Sequence, residues 1–426
     1  MLWLLLFAVM VLFFSRGYPL VLAPQSGTPP LVTPVVKRPL PGPGVPIEML
    51  MTSLPSAVGE GVPTLLLGFV KEESRLTWEF EGQWEYLDLA WSVEPDEQLL
   101  TVRGDEVVAV APFGATELAV VSAGDGGALL ERWPVPQGVV TGLYAHSRGL
   151  LCVSTEPIDP TRYPGEFTEG SDADEGEESP LFSDHLWLRD RGSWAQQSIV
   201  LEDTAVLTFH QGAAGFPSQD AILGLHASDF AAGGGPHPFR LSFLSEGDPH
   251  QAWPLSLNVS PTSPLNLALG ATHEALPLVI VWDKNHVLAY GDGGGEPRWT
   301  FQPPSVASGG DEVTSAFIFS GGTVVVTTGA TVHFLDRDGH ATAALSMRSP
   351  IVAALPLAAF DGIFAMLTEE QIALYDHSAR EIWREPVDCS PLAWDIFTVE
   401  EGDHAAIYMG VVTRCHLIQY RIDSAP

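Results

Sequence analysis

ALYDHSAREIW (Ala373 to Trp383) is the stretch that decides how this chain folds. Ala373, Leu374 and Tyr375 read as the end of a strand, the residues from Asp376 as a tight turn, and the run ending at Trp383 as the opening of the next strand. LAYGDGGGEPRW (Leu288 to Trp299) echoes it, again with a Gly/Asp-rich turn leading into a tryptophan. Around both, the order strand, turn, strand, turn recurs every ~40 to 50 residues, the period of a propeller blade. A lone four-stranded blade leaves both faces bare, whereas radial stacking buries each against a neighbour and leaves only short edges. The expectation is an all-β chain forming a single β-propeller of seven or eight four-stranded blades.

Three stretches of the second half lie over one another with almost no gaps: VIVWDKNHVLAYGDGGGEPRW, VVVTTGATVHFLDRDGHATAAL and IFAMLTEEQIALYDHSAREIW. That overlay matches Ala289 to Ala373 and Trp299 to Trp383, with Asp376 at the turn. Alternation at Val287 and Ala289, and at Ile372 and Leu374, turns one side of each strand toward the adjacent blade. Ala289, Trp299, Ala373, Asp376 and Trp383 are therefore read as structural residues that dock one blade on the next, and not as catalytic ones. Earlier copies are marked by strand-like runs such as Thr64 to Val70, Gly149 to Val153 and Ala221 to Leu225. HLIQYRID (His416 to Asp423) has no partner after it, so the reading gives it an N-terminal strand to share a blade with. Trp78, Trp84 and Trp91 crowd one early segment, where core packing is favoured over a place on the ring's top face.

Leu2 to Phe14 are thirteen consecutive apolar residues, enough for the core of a signal peptide and too few for a span of ~20 residues. Residues 1–23 are read as a signal peptide, or as an uncleaved anchor tethering the protein to the inner membrane through residues 2–22. The expected location is exported, periplasmic or extracytoplasmic. Residues 24–62 carry eight prolines between Pro24 and Pro46 and read as a Pro-rich linker, with the propeller over 63–426. One blade is interrupted at about 157–183, where LLCVSTEP is separated from HLWLRDRGSW by a run holding Asp172, Asp174, Glu175, Glu177 and Glu178. So much charge with so little apolar surface reads as a solvated loop. Spaced aspartates supply hard oxygen ligands, so the acidic insertion is also a candidate for weak calcium binding, without the closing glutamate of a calcium loop.

The formal charge of −33, from 53 acids and 20 bases, repels phosphate backbones and argues against nucleic acid as a partner. Cys152, Cys389 and Cys415 form no zinc pattern. Cys389 and Cys415 can pair only if their strands are adjacent, and burial as small hydrophobes is the commoner outcome. HExxH, GxSxG, a phosphate loop and SxxK are all absent, so no catalytic, cofactor-binding or metal-binding residue is assigned.

With Ala373, Asp376 and Trp383 at their repeat positions, the chain resembles the pyrroloquinoline-quinone-like β-propellers, in which a turn aspartate and a docking tryptophan recur. Trp299 with the GDGGG turn, and Asp336 and Asp338 in FLDRDG, carry further partial matches. The resemblance implies a propeller; in the family's enzymes it implies a quinone held by a vicinal disulfide beside calcium. This chain has no adjacent cysteines, so no cofactor is expected. Non-catalytic members act as scaffolds. The reading is accordingly a non-catalytic cell-envelope propeller that binds a protein or peptide. The alternative is a quinoprotein-type or other enzyme with its site on the ring's top face.

Overall fold

The computed structural model describes residues 30–40, 45–51, 64–70, 73–80, 83–92, 99–103, 107–122, 129–146, 149–157, 182–190, 193–196, 204–211, 220–226, 238–244, 252–257, 265–271, 276–307, 311–319, 321–357, 360, 362–401 and 404–423. Among them the chain forms eight four-stranded antiparallel sheets, the blades of a β-propeller. Blade 1 is β2 (Val45–Met51), β3 (Thr64–Val70), β4 (Glu73–Phe80) and β5 (Gln83–Ser92). Blade 2 is β6 (Leu99–Arg103), β7 (Val107–Pro112), β8 (Glu117–Ser122) and β9 (Leu129–Pro134). Blade 3 is β10 (Val139–His146), β11 (Gly149–Pro157), β12 (Phe182–Asp190) and β13 (Ser193–Gln196). Blade 4 is β14 (Thr204–Gln211), β15 (Asp220–His226), β16 (Pro238–Leu244) and β17 (Ala252–Ser256). Blade 5 is β18 (Asn266–Ala271), β19 (Pro277–Trp282), β20 (Val287–Tyr290) and β21 (Trp299–Phe301), followed by a one-turn helix α1 (Pro304–Ala307). Blade 6 is β22 (Val313–Ile318), β23 (Val324–Thr328), β24 (Thr331–Leu335) and β25 (Ala341–Ser346). Blade 7 is β26 (Ile351–Pro356), β27 (Ile363–Thr368), β28 (Gln371–Asp376) and β29 (Glu381–Pro386).

Blade 8 closes the ring. It takes β30 (Pro391–Glu401), β31 (His404–Thr413) and β32 (His416–Asp423) from the C-terminal end and β1 (Leu31–Pro39) from the N-terminal end. Leu31 lies opposite Asp423 and Pro39 opposite His416. The strand expected beside HLIQYRID therefore comes from the Pro-rich stretch. This corrects the linker assigned to 24–62, because β1 and β2 both lie inside it. Proline lacks an N–H and is tolerated on an edge strand, and β1 is the outermost strand of its blade, bulged between Pro34 and Val36. Residues 1–23, with the proposed signal and tether, lie outside the described residues.

The first strands of successive blades touch and form the inner ring, and the apolar core sits between blades as separate layers. One layer joins Leu278, Ile280 and Ala289 of blade 5 to Val313, Val324 and Leu335 of blade 6. The next joins Phe317, Val325 and Phe334 of blade 6 to Phe364, Met366 and Ala373 of blade 7. A third joins Ala365, Leu367 and Leu374 of blade 7 to Trp394, Met409 and Tyr420 of blade 8. Alternation along each strand makes this possible, since successive side chains face opposite neighbours.

Candidate interaction face

Antiparallel order sends the second-to-third-strand turns and the blade-to-blade connections to one end of the ring, and the remaining turns to the other. The connection from β11 to β12, residues 158–181, leaves from the first of these ends, called here the insertion face. Its interior lies outside the described residues, and so do the aspartates considered for calcium. Its root is well defined: Pro157 pairs with Phe182 and Glu156 with Ser183, so the strands run on to either side of it. The insertion is thus two residues narrower at its Ser183 end than the expected 157–183.

Three hairpins on this face share one device. Asp283 Oδ1 accepts from the backbone N–H groups of Asn285 at 2.7 Å and His286 at 2.6 Å. Thr368 Oγ1 accepts from those of Glu370 and Gln371, and Thr413 Oγ1 from those of Cys415 and His416. Each side chain satisfies turn donors that the ladder cannot reach. These caps were not singled out in the sequence, although DKNH, TEEQ and TRCH lead into the third strand in three blades.

Blade 3 concentrates polar contacts at the insertion root. Gln137 Nε2 donates to Glu156 Oε2 at 2.7 Å, and His185 Nε2 lies 3.6 Å from the same oxygen. Thr155 donates to the buried carboxylate of Asp184, and Thr141 and Thr155 share a bond of 2.9 Å. Gly138 at φ +74° is required here, because a Cβ would meet the Thr155 carbonyl oxygen at 2.5 Å. Beside this network two apolar side chains stand in solvent. Phe113, in the β7–β8 turn, is 50% exposed, and Val139, at the start of β10, is 36% exposed. The residues that follow them are joined: Gly114 N donates to Val140 O at 2.7 Å and Val140 N to Ala115 O at 2.8 Å.

Described groups with reactive chemistry are poorly placed to use it. Burial pushes the Cys152 thiol up to about 12, leaving it protonated and a weak nucleophile. Burial also raises the Tyr144 phenol, with Asp184 and Cys152 adding to the effect. His333, between blades 5 and 6 and edge-on to Phe301, is lowered by burial. Among the described residues, no three His, Cys, Asp or Glu side chains gather in a group that would hold a metal ion. No described helix is long and apolar enough to cross a membrane.

The expected docking residues fall at several kinds of position. Trp299 is half-buried against the layer between blades 5 and 6, and its Nε1 donates to Arg337 O at 2.9 Å, in the β24–β25 turn of blade 6. Trp383 packs on the layer between blades 7 and 8, edge-on to Tyr420 with centroids 5.1 Å apart. Asp376 caps its own turn, accepting from the N–H groups of Ser378 at 2.9 Å and Arg380 at 3.0 Å. Ala289 and Ala373 are both fully buried but do not match: Ala289 faces the following blade and Ala373 the preceding one. Tyr290 and Tyr375 are the matching pair, and the turn after Tyr290 is one residue longer. That extra length is used, since Gly295 N donates to Pro254 O at 2.6 Å and Ser256 N to Gly295 O at 3.0 Å, covering the outer edge of β17. Trp78 lies in β4 and Trp84 and Trp91 in β5, the two outer strands of blade 1.

Cys389 and Cys415 form a disulfide with Cα atoms 6.2 Å apart. It ties the connection into blade 8 to the β31–β32 turn. Leu40 N donates to Cys415 O at 3.2 Å beside it, and Lys37 pairs with Asp388, whose carboxyl that contact holds below the usual range.

No family model matches the chain, and no curated protein matches it. Among solved structures it is similar to the Dos1 propeller, at 11% identity over 91% of this chain and 94% of that one, with a TM-score of 0.53. It is also similar to BBS1N in complex with ARL6DN, at 9% identity over 85% and 87% of the two chains and a TM-score of 0.40. A third is BamB from Moraxella catarrhalis, at 8% identity over 89% and 99% and a TM-score of 0.42. The likeness is one of fold, and it rests on the first.

Proposed function

We propose that this is an exported, non-catalytic propeller of the pyrroloquinoline-quinone-like kind that binds a protein or peptide on its insertion face. One observation carries the reading: Phe113 and Val139 are both exposed, on two elements joined by backbone bonds between their sequence neighbours, next to the polar root of the longest blade-internal connection. Exposed apolar groups rimmed by polar ones mark contact surfaces, and a rigid ring presenting long connections at one end suits recognition. The Cys389–Cys415 disulfide supports export, because disulfides persist in oxidising compartments. Trp299 resting on a turn of the next blade supports the family placement. Residues 1–23 then serve as the export signal or the tether.

A photo-crosslinking residue installed at position 113 tests the reading in the producing cells. A defined crosslinked protein is expected there and not from position 276, in the β18–β19 connection at the opposite end of the ring. Identical patterns from both positions would remove the insertion face as the binding surface.

A further inference from the structure

We propose that the seam between blades 5 and 6 is an acid-sensitive joint of the ring, loosened when the buried imidazole of His333 takes up a proton. The repeat shows what is unusual about this position. Five residues after the turn caps Asp283, Thr368 and Thr413 stand Leu288, Ala373 and Ile418, in blades 5, 7 and 8. All three are apolar, buried and packed in the layer shared with the preceding blade. Thr328 holds the matching place in blade 6, and five residues on from it is His333. His333 lies opposite Val326, which belongs to the layer between blades 5 and 6, and meets the Phe301 ring edge-on with centroids 5.5 Å apart. It is 7% exposed, and its Nε2 reaches no hydrogen-bonding partner among the described residues. Trp282 Nε1, in the same layer, is buried in the same condition.

A neutral imidazole fits such a place, whereas an imidazolium would be a buried charge without a counter-charge. β19, β20, β21 and α1 of blade 5 carry no charged side chain, and Tyr290 of β20 belongs to the layer with blade 4. β22, β23 and β25 of blade 6 carry none either. The acids at the two ends of the seam stand in turns and are engaged there. Asp283 accepts from the Asn285 and His286 N–H groups, Glu312 lies 3.9 Å from Lys284, and Asp311 lies over Gly329. At the other end Asp336 caps its own turn, with His340 3.5 Å away. Burial alone therefore acts on His333, holding it below the ordinary 6.5. The sign follows: the seam keeps its full stability above about pH 6.5, where the unfolded chain's histidine is also neutral, and loses it as pH falls from there through the lowered folded value. Opening the seam gives both unpartnered nitrogens to water, which reduces the cost of parting the blades at this place.

Amide hydrogen exchange of the full chain at about pH 7.5 and about pH 5, corrected for the intrinsic effect of pH on exchange, tests this. Protection of β21, β23 and β24 should fall about fivefold or more in acid, while that of β27 in blade 7 and β31 in blade 8 changes little. His333→Leu, which installs the blade 5 residue, should abolish the fall. His333→Gln, uncharged at every pH, should do the same, and it decides the matter if the leucine variant does not fold. The same acid-induced fall in a folded variant would show that His333 is not its source and would overturn the proposal. A fall shared equally by β27 and β31 would make the acid response one of the whole ring, and no fall in the parent would leave no joint to explain; either result would overturn it too.

Discussion

Trp299 and Trp383 stand near the start of the fourth strands of blades 5 and 7, at matching places in the repeat, yet they meet different neighbours. Trp299 lies on the β24–β25 turn of blade 6, where its indole N–H finds a carbonyl and its ring covers Gly339. Trp383 faces blade 8, whose fourth strand is β1, so no turn joins β32 to that strand. In place of a turn it has the ring of Tyr420. A repeat thus keeps its aromatic residue while the partner changes with the way the ring is closed.

The largest expected effect is at Trp383. Trp383→Ala should cost about 3 to 5 kcal/mol, by loss of a large aromatic contact in the layer that holds blade 8 to blade 7. Thermal unfolding of the purified variant checks this, and an unchanged melting temperature with weakened partner binding would make Trp383 a site residue. The disulfide comes next, since it braces the same junction across a sequence separation of 26 residues. Cys389→Ser with Cys415→Ser should lower stability by about 2 to 4 kcal/mol, and proteolysis should nick blade 8 before blades 5 and 6. A variant as stable as the parent would show that β1 alone secures closure.

Trp299→Ala should cost less, about 2 to 3 kcal/mol, because its ring lies on a surface turn. Gly339 sharpens this. It sits at φ +81°, and a Cβ there would meet the Trp299 ring at 2.6 Å. Gly339→Ala should therefore be more damaging in the parent than in the Trp299→Ala background, where only backbone strain is left, and a double-mutant cycle by chemical denaturation reads the difference. Additive losses would separate the two residues.

The smallest effect is expected at Asp336. Partial burial pushes its carboxyl up, but the N–H groups of His340 and Asp338 outweigh that, so its pKa falls below the usual value. The sign follows: the carboxylate contributes stability above the unfolded pKa of about 3.9 and loses it as pH drops through the folded value. Asp336→Asn should narrow the stability gap between pH 7 and pH 3 slightly, measured by melting temperature. A gap unchanged by the substitution would assign the acid sensitivity to other carboxylates.

The blade architecture was legible because its signals are local: alternation, turn aspartates and a tryptophan at fixed spacing. Sharing of the last blade was legible too, since HLIQYRID needed a partner. What escaped was set by distant contacts. Prolines in LVTPVVKRP spoke for a linker until the strand proved to be an outer edge. Ala289 matched Ala373 on paper because one extra glycine-turn residue, recruited to reach β17, offset the count. Pairing of Cys389 with Cys415 depended on two turns meeting in space. The proposed binding surface was the least legible part, because Phe113 and Val139 are ordinary strand-end residues until the β7–β8 turn lies against β10.

The register of the closing strand also fixes a direction. Leu31 lies opposite Asp423, so both ends of the folded ring emerge together, at the end away from the insertion face. Whatever is fused, tethered or immobilised through residue 30 or residue 424 leaves Phe113 and Val139 pointing outward. On a membrane stalk the ring would stand like a dish with its bowl turned from the lipid, and on a sensor chip an N-terminal tag would present the same side to the solution.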